Sequence, residues 1–224
     1  MKYMIHACPQ RMWYVEEFLI PSMKEQGIKT REIEVWCDTD EKGNLLSCME
    51  SFLECGTRKK KQGSGTWHLQ DDILISKGFA KRTREYDAAG EEIVCGFAHR
   101  TFGNFMESGR RPVVFLWYSF PCIRIPDEIA GECARWFFDK AIRREQWKQK
   151  IEQRKGDDWF FRNFLLESYP DMRVLQPKPN LVEHVDWLIG GTTINKQRAQ
   201  KQTRAEYFQD ADLVEKLEEQ LKNR

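Results

Sequence analysis

The chain reads as an α/β protein of one domain built on a mixed, largely parallel sheet flanked by helices, and three observations predict this. Strand-like and helix-like segments alternate through roughly the first hundred residues, the order that generates parallel pairs. The first segment, residues 1–8, is mostly apolar without strict alternation, as a strand covered on both faces must be. Polar residues gather just after the first strands, where sheets of this kind bind ligands. With 224 residues and 41% apolar side chains, the chain has material for one substantial core and not for two roomy ones.

The elements follow in order. Pro9 ends the first strand, and residues 12–26 place Trp13, Val15, Phe18, Leu19 and Met23 on a helical stripe, with a kink or break expected at Pro21 and a stop at Gly27. Residues 31–37 read as a second strand, closed by the turn-forming run from Asp38 to Asn44. Residues 45–55 repeat the helical pattern, with Gly56 as the expected stop. After a basic loop, residues 66–76 read as a third strand interrupted by two aspartates. A short helix (79–86), a strand (93–97) and one or two strands within 112–125 come next, and right-handed crossovers are expected between the parallel strands. Residues 127–155 read as a long charged helix, 157–168 as another and 205–221 as a polar terminal helix. The expected division is a domain over 1–195 with a charged helical tail over 196–224, without internal repeats.

Composition narrows the function. Thirty-six basic residues against 35 acidic ones give a net charge of +1, which excludes binding of polyanions by bulk attraction and leaves only local basic patches. The longest apolar run, 113–120, falls far short of the roughly 18 residues of a membrane span, and Met1 to His6 is too short for a signal sequence. A soluble, cytoplasmic protein with no membrane partner is the expectation. Seven cysteines are odd in number and never form Cys-X-X-Cys, which argues against disulfide staples and a zinc knuckle. Cys8, Cys37, Cys95 and Cys122 lie in strand-like runs, where a reduced cysteine is a small core residue.

The most informative stretch is Gly65-Thr66-Trp67-His68-Leu69-Gln70-Asp71-Asp72-Ile73-Leu74-Ile75, because adjacent carboxylates within a strand-forming sequence repel each other and resist burial. A divalent cation, Mg²⁺ or Mn²⁺, would compensate them, since it takes carboxylate and diphosphate oxygens together. The plainer reading is a turn aspartate beside a solvated one, and for a bare Asp-Asp pair that is the commoner case. Three features shift the balance. His6-Ala7-Cys8-Pro9-Gln10-Arg11 and Asp38-Thr39-Asp40 put polar residues at the ends of the first two strands, where a nucleotide would fit. Gly156-Asp157-Asp158 supplies a second carboxylate pair at a helix start, one of which is expected simply to cap. Asn180-Leu181-Val182-Glu183-His184 carries a single late histidine, a residue that is more often structural than functional.

A Cys-Pro-containing first strand, Leu69-Gln70-Asp71-Asp72 after the third, Gly156-Asp157-Asp158-Trp159 ahead of a helix, and Pro179-Asn180-Leu181-Val182-Glu183-His184 before Gly190-Gly191-Thr192 together resemble glycosyltransferases of the A-type (GT-A) fold over roughly residues 1–195. The chain is also similar to glycosyltransferase-like proteins of bacteriophages, which implies the host cytoplasm as its location. The resemblance implies a metal held by Asp71, Asp72 and His184 against the diphosphate of a nucleotide-sugar donor, with UDP-sugar as the default. It also implies an acidic residue near the acceptor, Asp157 or Asp158, as base. Many relatives have Asp-X-Asp where this chain has Gln70-Asp71-Asp72.

The chemistry is coherent on its own terms. Cleaving a sugar–phosphate bond leaves negative charge on the nucleoside diphosphate, which nearby cations stabilise, while the attacking hydroxyl loses a proton to a carboxylate. Asp158 is the expected base with Asp157 as cap, and His6, Pro9, Arg11, Asp38 and Asp71 are the expected contacts of the nucleotide. Two basic segments, Arg58 to Gly65 and a helix face with Lys140, Arg143, Arg144, Lys148 and Lys150 interleaved with Trp136 and Trp147, read first as solvated surface and second as a seat for an anionic acceptor such as DNA. Two competing classes remain open at this stage. A metal-dependent nuclease or phosphohydrolase would use the aspartates but need no nucleotide pocket, and a non-catalytic nucleic-acid-binding protein would show salt-sensitive DNA binding without turnover.

Overall fold

The computed structural model describes residues 1–58, 64–89, 93–97, 109–113, 121–152, 156–190, 205 and 208–224. Its strands are β1 (Lys2–Ala7), β2 (Ile33–Cys37), β3 (Gly65–Gln70), β4 (Ile73–Ile75), β5 (Val94–Cys95), β6 (Gly109–Pro112), β7 (Cys122–Pro126), β8 (Arg173–Gln176) and β9 (Val182–His184). Seven of them form one sheet in the order β2-β1-β3-β7-β5-β8-β6. β2 and β3 flank β1 in parallel, β7 is antiparallel to both β3 and β5, and β8 is parallel to β5 and antiparallel to β6. Five strands thus run one way, with β7 and β6 reversed, which is the mixed, largely parallel sheet expected. β4 and β9 form a separate antiparallel ribbon.

The helices are α1 (residues 12–25, entered through a 3₁₀ turn at Pro9–Arg11), α2 (Asn44–Thr57), α3 (Phe79–Ala88), α4 (Asp127–Trp136), α5 (Glu145–Glu152), α6 (Asp157–Ser168), α7 (Asp186–Ile189) and α8 (Ala211–Lys222). Alternation along the strands assigns them to two layers. Tyr3, Ile5 and Ala7 of β1 and Trp67 and Leu69 of β3 pack with Tyr14, Val15, Leu19 and Met23 of α1, Phe79 of α3 and Leu217 of α8. On the opposite face, Ile123 and Ile125 of β7 pack with Met49 and Phe52 of α2, Ala130 and Cys133 of α4, and Phe160, Phe161 and Phe164 of α6. Burial from both sides explains why β1 lacks a polar face. Among the described residues no helix is long and apolar enough to cross a membrane.

Several elements differ from the sequence expectation, each for a physical reason. Pro21 does not break its helix: the turn Val15–Leu19 just before it widens to π geometry, and the chain resumes as α-helix over Ile20–Glu25 with Pro21 in its first turn, where a missing N–H costs least. Residues 66–76 are two strands in two sheets, divided by a turn at Asp71 and Asp72. The span 127–155 is not one helix, since α4 passes through a π turn at Phe137–Ala141 before α5 begins at Glu145. The terminal helix starts at Ala211 rather than 205 and docks on the core, with Val214 and Leu217 buried and Arg224 stacked 3.9 Å over the Trp13 ring.

Gly56 is the sharpest correction. It lies inside α2 and does not end it, because the backbone of α4 passes directly against it. A Cβ on Gly56 would stand 2.3 Å from the Cα of Gly131, and one on Gly131 would stand 2.7 Å from the Cα of Gly56. Both neighbours are backbone, so neither can swing aside. Gly56→Ala should therefore destabilise the protein by about 1–3 kcal/mol despite alanine's gain of about 1 kcal/mol in helix propensity. A urea titration should show a lower midpoint with unchanged slope. An unchanged or raised midpoint would mean that α2 and α4 do not approach this closely.

Candidate functional site

At the carboxyl ends of β1 and β3 three chain segments meet. The first is the turn after β1, where Cys8 precedes Pro9–Arg11 and its backbone N–H donates to Asp71. The second is the Asp71-Asp72 turn between β3 and β4. The third arrives through the ribbon, whose register sets His184 opposite Ile73 and so beside Asp72. A hydrogen bond from Val185 N to Asp72 O, 2.8 Å, extends that ladder by one step.

Arg11 binds these segments together. Its Nη2 lies 3.0 Å from Asp71 Oδ1, and its Nη1 donates to Asp72 Oδ2. The other Asp71 oxygen accepts the Cys8 N–H at 2.8 Å. The other Asp72 oxygen lies 3.1 Å from His184 Nε2, and His184 Nδ1 is 3.5 Å from Asp186 Oδ1. Asp71, Asp72, Arg11 and Asp186 are 2%, 5%, 9% and 4% exposed, so this is a buried ion cluster and not a surface bridge. Burial and then the charge of Asp72 push the Asp71 carboxyl upward against Arg11. Burial pushes Asp72 upward too, but His184 and then Arg11 overcome it and hold that carboxyl below the usual range. For His184, burial favours the neutral ring, yet contact with Asp72 and then Asp186 raises its pKa above the ordinary value.

The oxygen-rich donor set has the right chemistry for Mg²⁺ or Mn²⁺, but its arrangement does not fit a metal ion. The Arg11 guanidinium stands between the two carboxylates, and among the described residues no three His, Cys, Asp or Glu side chains converge as a metal-binding group. The negative charge that the sequence reading balanced with a cation is balanced here by Arg11 and His184.

The remaining expected residues divide. Asp38 follows β2, where its N–H extends the ladder to Ala7 O, but its carboxylate closes its own loop by accepting Lys42 N at 3.0 Å and Gly43 N at 2.7 Å. Pro9 is exposed at the lip of the cluster. His6 points to the α2 face, with Nε2 2.9 Å from His68 Nδ1, Nδ1 3.4 Å from Ser51 Oγ, and its ring edge-on to Phe52. At the start of α6, Asp157 is the buried carboxylate, hydrogen-bonded by Asn44 Nδ2 at 3.2 Å and by the Asp158 backbone N–H, and Asp158 is the half-buried one that accepts Trp159 N at 2.7 Å. Burial raises the Asp157 carboxyl, and the charge of Asp72 adds to that.

Of the basic segments, Lys59 to Lys61 and the side chains of Trp147 and Lys150 lie outside the described residues. Arg144 pairs with Glu167 and Lys148 with Glu145, whereas Trp136 is a core residue, 5% exposed. All seven cysteines are thiols without disulfides. Sequence reasoning missed Asp186, Asn44, Glu183 and the Cys8 N–H. Asp186 had a usable signal, a carboxylate two residues after His184; Glu183, whose Oε1 accepts His184 N at 3.0 Å and Ala205 N at 2.6 Å, showed none. Neither a scan of protein-family models nor a search of curated proteins returns a match to this chain.

The histidine pair yields a pH prediction. Burial lowers the His6 pKa from its ordinary 6.5 to about 4. Between those values the unfolded chain takes up a proton that the folded protein refuses, so stability falls as pH drops from 6.5 toward 4, by at most about 3 kcal/mol. Urea midpoints at pH 7.5 and 4.5 should therefore fall less for His6→Gln than for the wild type. Equal falls would remove His6 as the cause.

Proposed function

We propose that the protein is a glycosyltransferase that takes a nucleotide-diphosphate sugar, by default a UDP-sugar, at the carboxyl edge of β1 and β3. The observation that carries this reading is the convergence there of Cys8, Arg11, Asp71, Asp72 and His184 from three distant segments, on the edge where parallel sheets seat nucleotides. The similarity of the same residues to A-type glycosyltransferases supports it. An ordinary fold has little reason to bury two adjacent carboxylates, since apolar residues of similar volume are often as stable or more so.

In this reading Arg11 marks the place of the diphosphate, whose growing negative charge in bond cleavage needs fixed cations. Asp157 replaces Asp158 as the proposed base. A carboxylate raised by burial lies nearer the working pH of a proton acceptor, while Asp158 already serves the first turn of α6. The acceptor follows from neither residue.

A thermal-shift series tests the binding. UDP at about a hundredfold excess over its Kd should raise the melting temperature by about 5–10 °C, while the nucleoside uridine should do much less. No shift with any nucleoside diphosphate, with or without Mn²⁺, would end the reading. Once transfer is assayed, Asp157→Asn should lower kcat by about two to four orders of magnitude with UDP affinity nearly unchanged, while Asp158→Asn should cost about 1 kcal/mol of stability or less. The opposite pattern would return the role of base to Asp158.

A further inference from the structure

We infer that Asn44 is a positioning residue for Asp157: its amide fixes the direction of that carboxylate without bringing the positive charge that would weaken it as a base. The inference deepens the glycosyltransferase reading and rests on it for the role of Asp157.

Three observations carry it. The first is the use to which the Asn44 amide is put. Asparagine is favoured as a helix cap, but the capping position of α2 is Gly43, and Asn44 stands one place inside the helix. Its Nδ2 instead crosses to Asp157 Oδ1 at 3.2 Å, 113 positions further along the chain in the first turn of α6. The second is how Asn44 is itself held. The Asp38 carboxylate accepts the Gly43 N–H at 2.7 Å, and the Asp38 N–H donates to Ala7 O at 2.9 Å. The first turn of α2 is thereby tied to the ends of β1 and β2, and Asn44 carries that fixed reference across to α6.

The third is the kind of donor that meets this carboxylate. Asp157 is 7% exposed and is met by Asn44, by the Cys48 thiol one turn further along α2 and by the Asp158 N–H, with the charge of Asp72 acting at longer range. Each of these three donors is neutral. Asp72, by contrast, has Arg11 and His184 as partners, and they hold it ionised. Neutral donors orient a carboxylate and leave it able to take up a proton, whereas a guanidinium at the same place would not.

Two variants test this, the folded state of each being checked by circular dichroism. Asn44→Ala removes one donor and leaves Cys48 and the Asp158 N–H in place. Asn44→Asp favours the start of α2 through the helix dipole but sets a like charge against Asp157, so a loss caused by it is not a loss of helix. The titration of Asp157, followed by the ¹³Cγ resonance of labelled aspartate and assigned by its absence in Asp157→Asn, should move up by about one pH unit or more in Asn44→Asp. Once transfer is assayed, Asn44→Ala should lower kcat by about tenfold to a hundredfold with UDP affinity within about twofold of the wild type. In an Asp157→Asn background the same change should cost nothing further. An Asp157 titration that ignores Asn44→Asp would overturn the inference, and so would an equal fall in kcat in both backgrounds, which is what a purely structural role produces. Loss of transfer by Asp157→Asn beside normal kcat in Asn44→Ala would overturn the inference alone. Normal transfer by Asp157→Asn would overturn the assignment of the base, and the role of Asn44 with it.

Discussion

The ion cluster around Arg11 is the constraint on which this architecture turns. One guanidinium joins the end of β1 to the turn after β3, and the same turn, through Asp72, holds the ribbon that carries His184. Removing one partner from such a buried group typically costs about 3–5 kcal/mol, because the charge left behind has no water to solvate it. Neighbouring bonds reinforce the junction: Tyr14 of α1 donates to Ile73 O at 2.9 Å, and Arg82 of α3 reaches the carbonyls of Pro179 and Asn180 just ahead of β9. The ribbon is therefore pinned by two helices of one layer, α1 and α3, and the position of His184 is a consequence of the fold rather than of its own rotamer.

Much of this frame was legible from residue pattern. β1, β2 and α6 lie where apolar spacing and turn chemistry put them, because their partners are the generic faces of a two-layered sheet. What was not legible depends on a particular partner. Gly56 carries the same sequence signal as a helix stop, and only the presence of Gly131 on a crossing helix makes it a packing position. β8 has just two apolar residues, Val174 and Leu175, and becomes a strand because β5 and β6 offer it hydrogen bonds. Pro21 is absorbed by a wider turn whose formation no local propensity records.

The candidate site shows the same division more sharply. That Asp71 and Asp72 need compensation follows from electrostatics alone, and that the compensation comes near the first strand end follows from α/β topology. Which cation supplies it does not, because Arg11 lies 61 positions before Asp72 and His184 reaches the pair only through the β4–β9 register. Asp157 and Asp158 are likewise indistinguishable as adjacent letters. A helix start separates them, since successive residues there point about 100° apart, and one turns into the protein beside Asn44 while the other folds back on the first turn.

Charge accounting connects the fold to the proposed chemistry. A buried cluster of acids and cations is stable only while its oxygens have donors, and both oxygens of Asp72 have one, Arg11 Nη1 at Oδ2 and His184 Nε2 3.1 Å from Oδ1. Apolar side chains of similar volume are often as stable in a packing role, so a cluster of this kind is not explained by stability alone. The cluster sits at the carboxyl ends of β1 and β3, with exposed Pro9 and Gln10 beside Arg11 and with Asp72 close enough to add to the upward push of burial on the Asp157 carboxyl. The interaction that secures the fold thus lies on the edge where sheets of this kind take their ligands, and the carboxylates there depend on Arg11 and His184 for their charge balance.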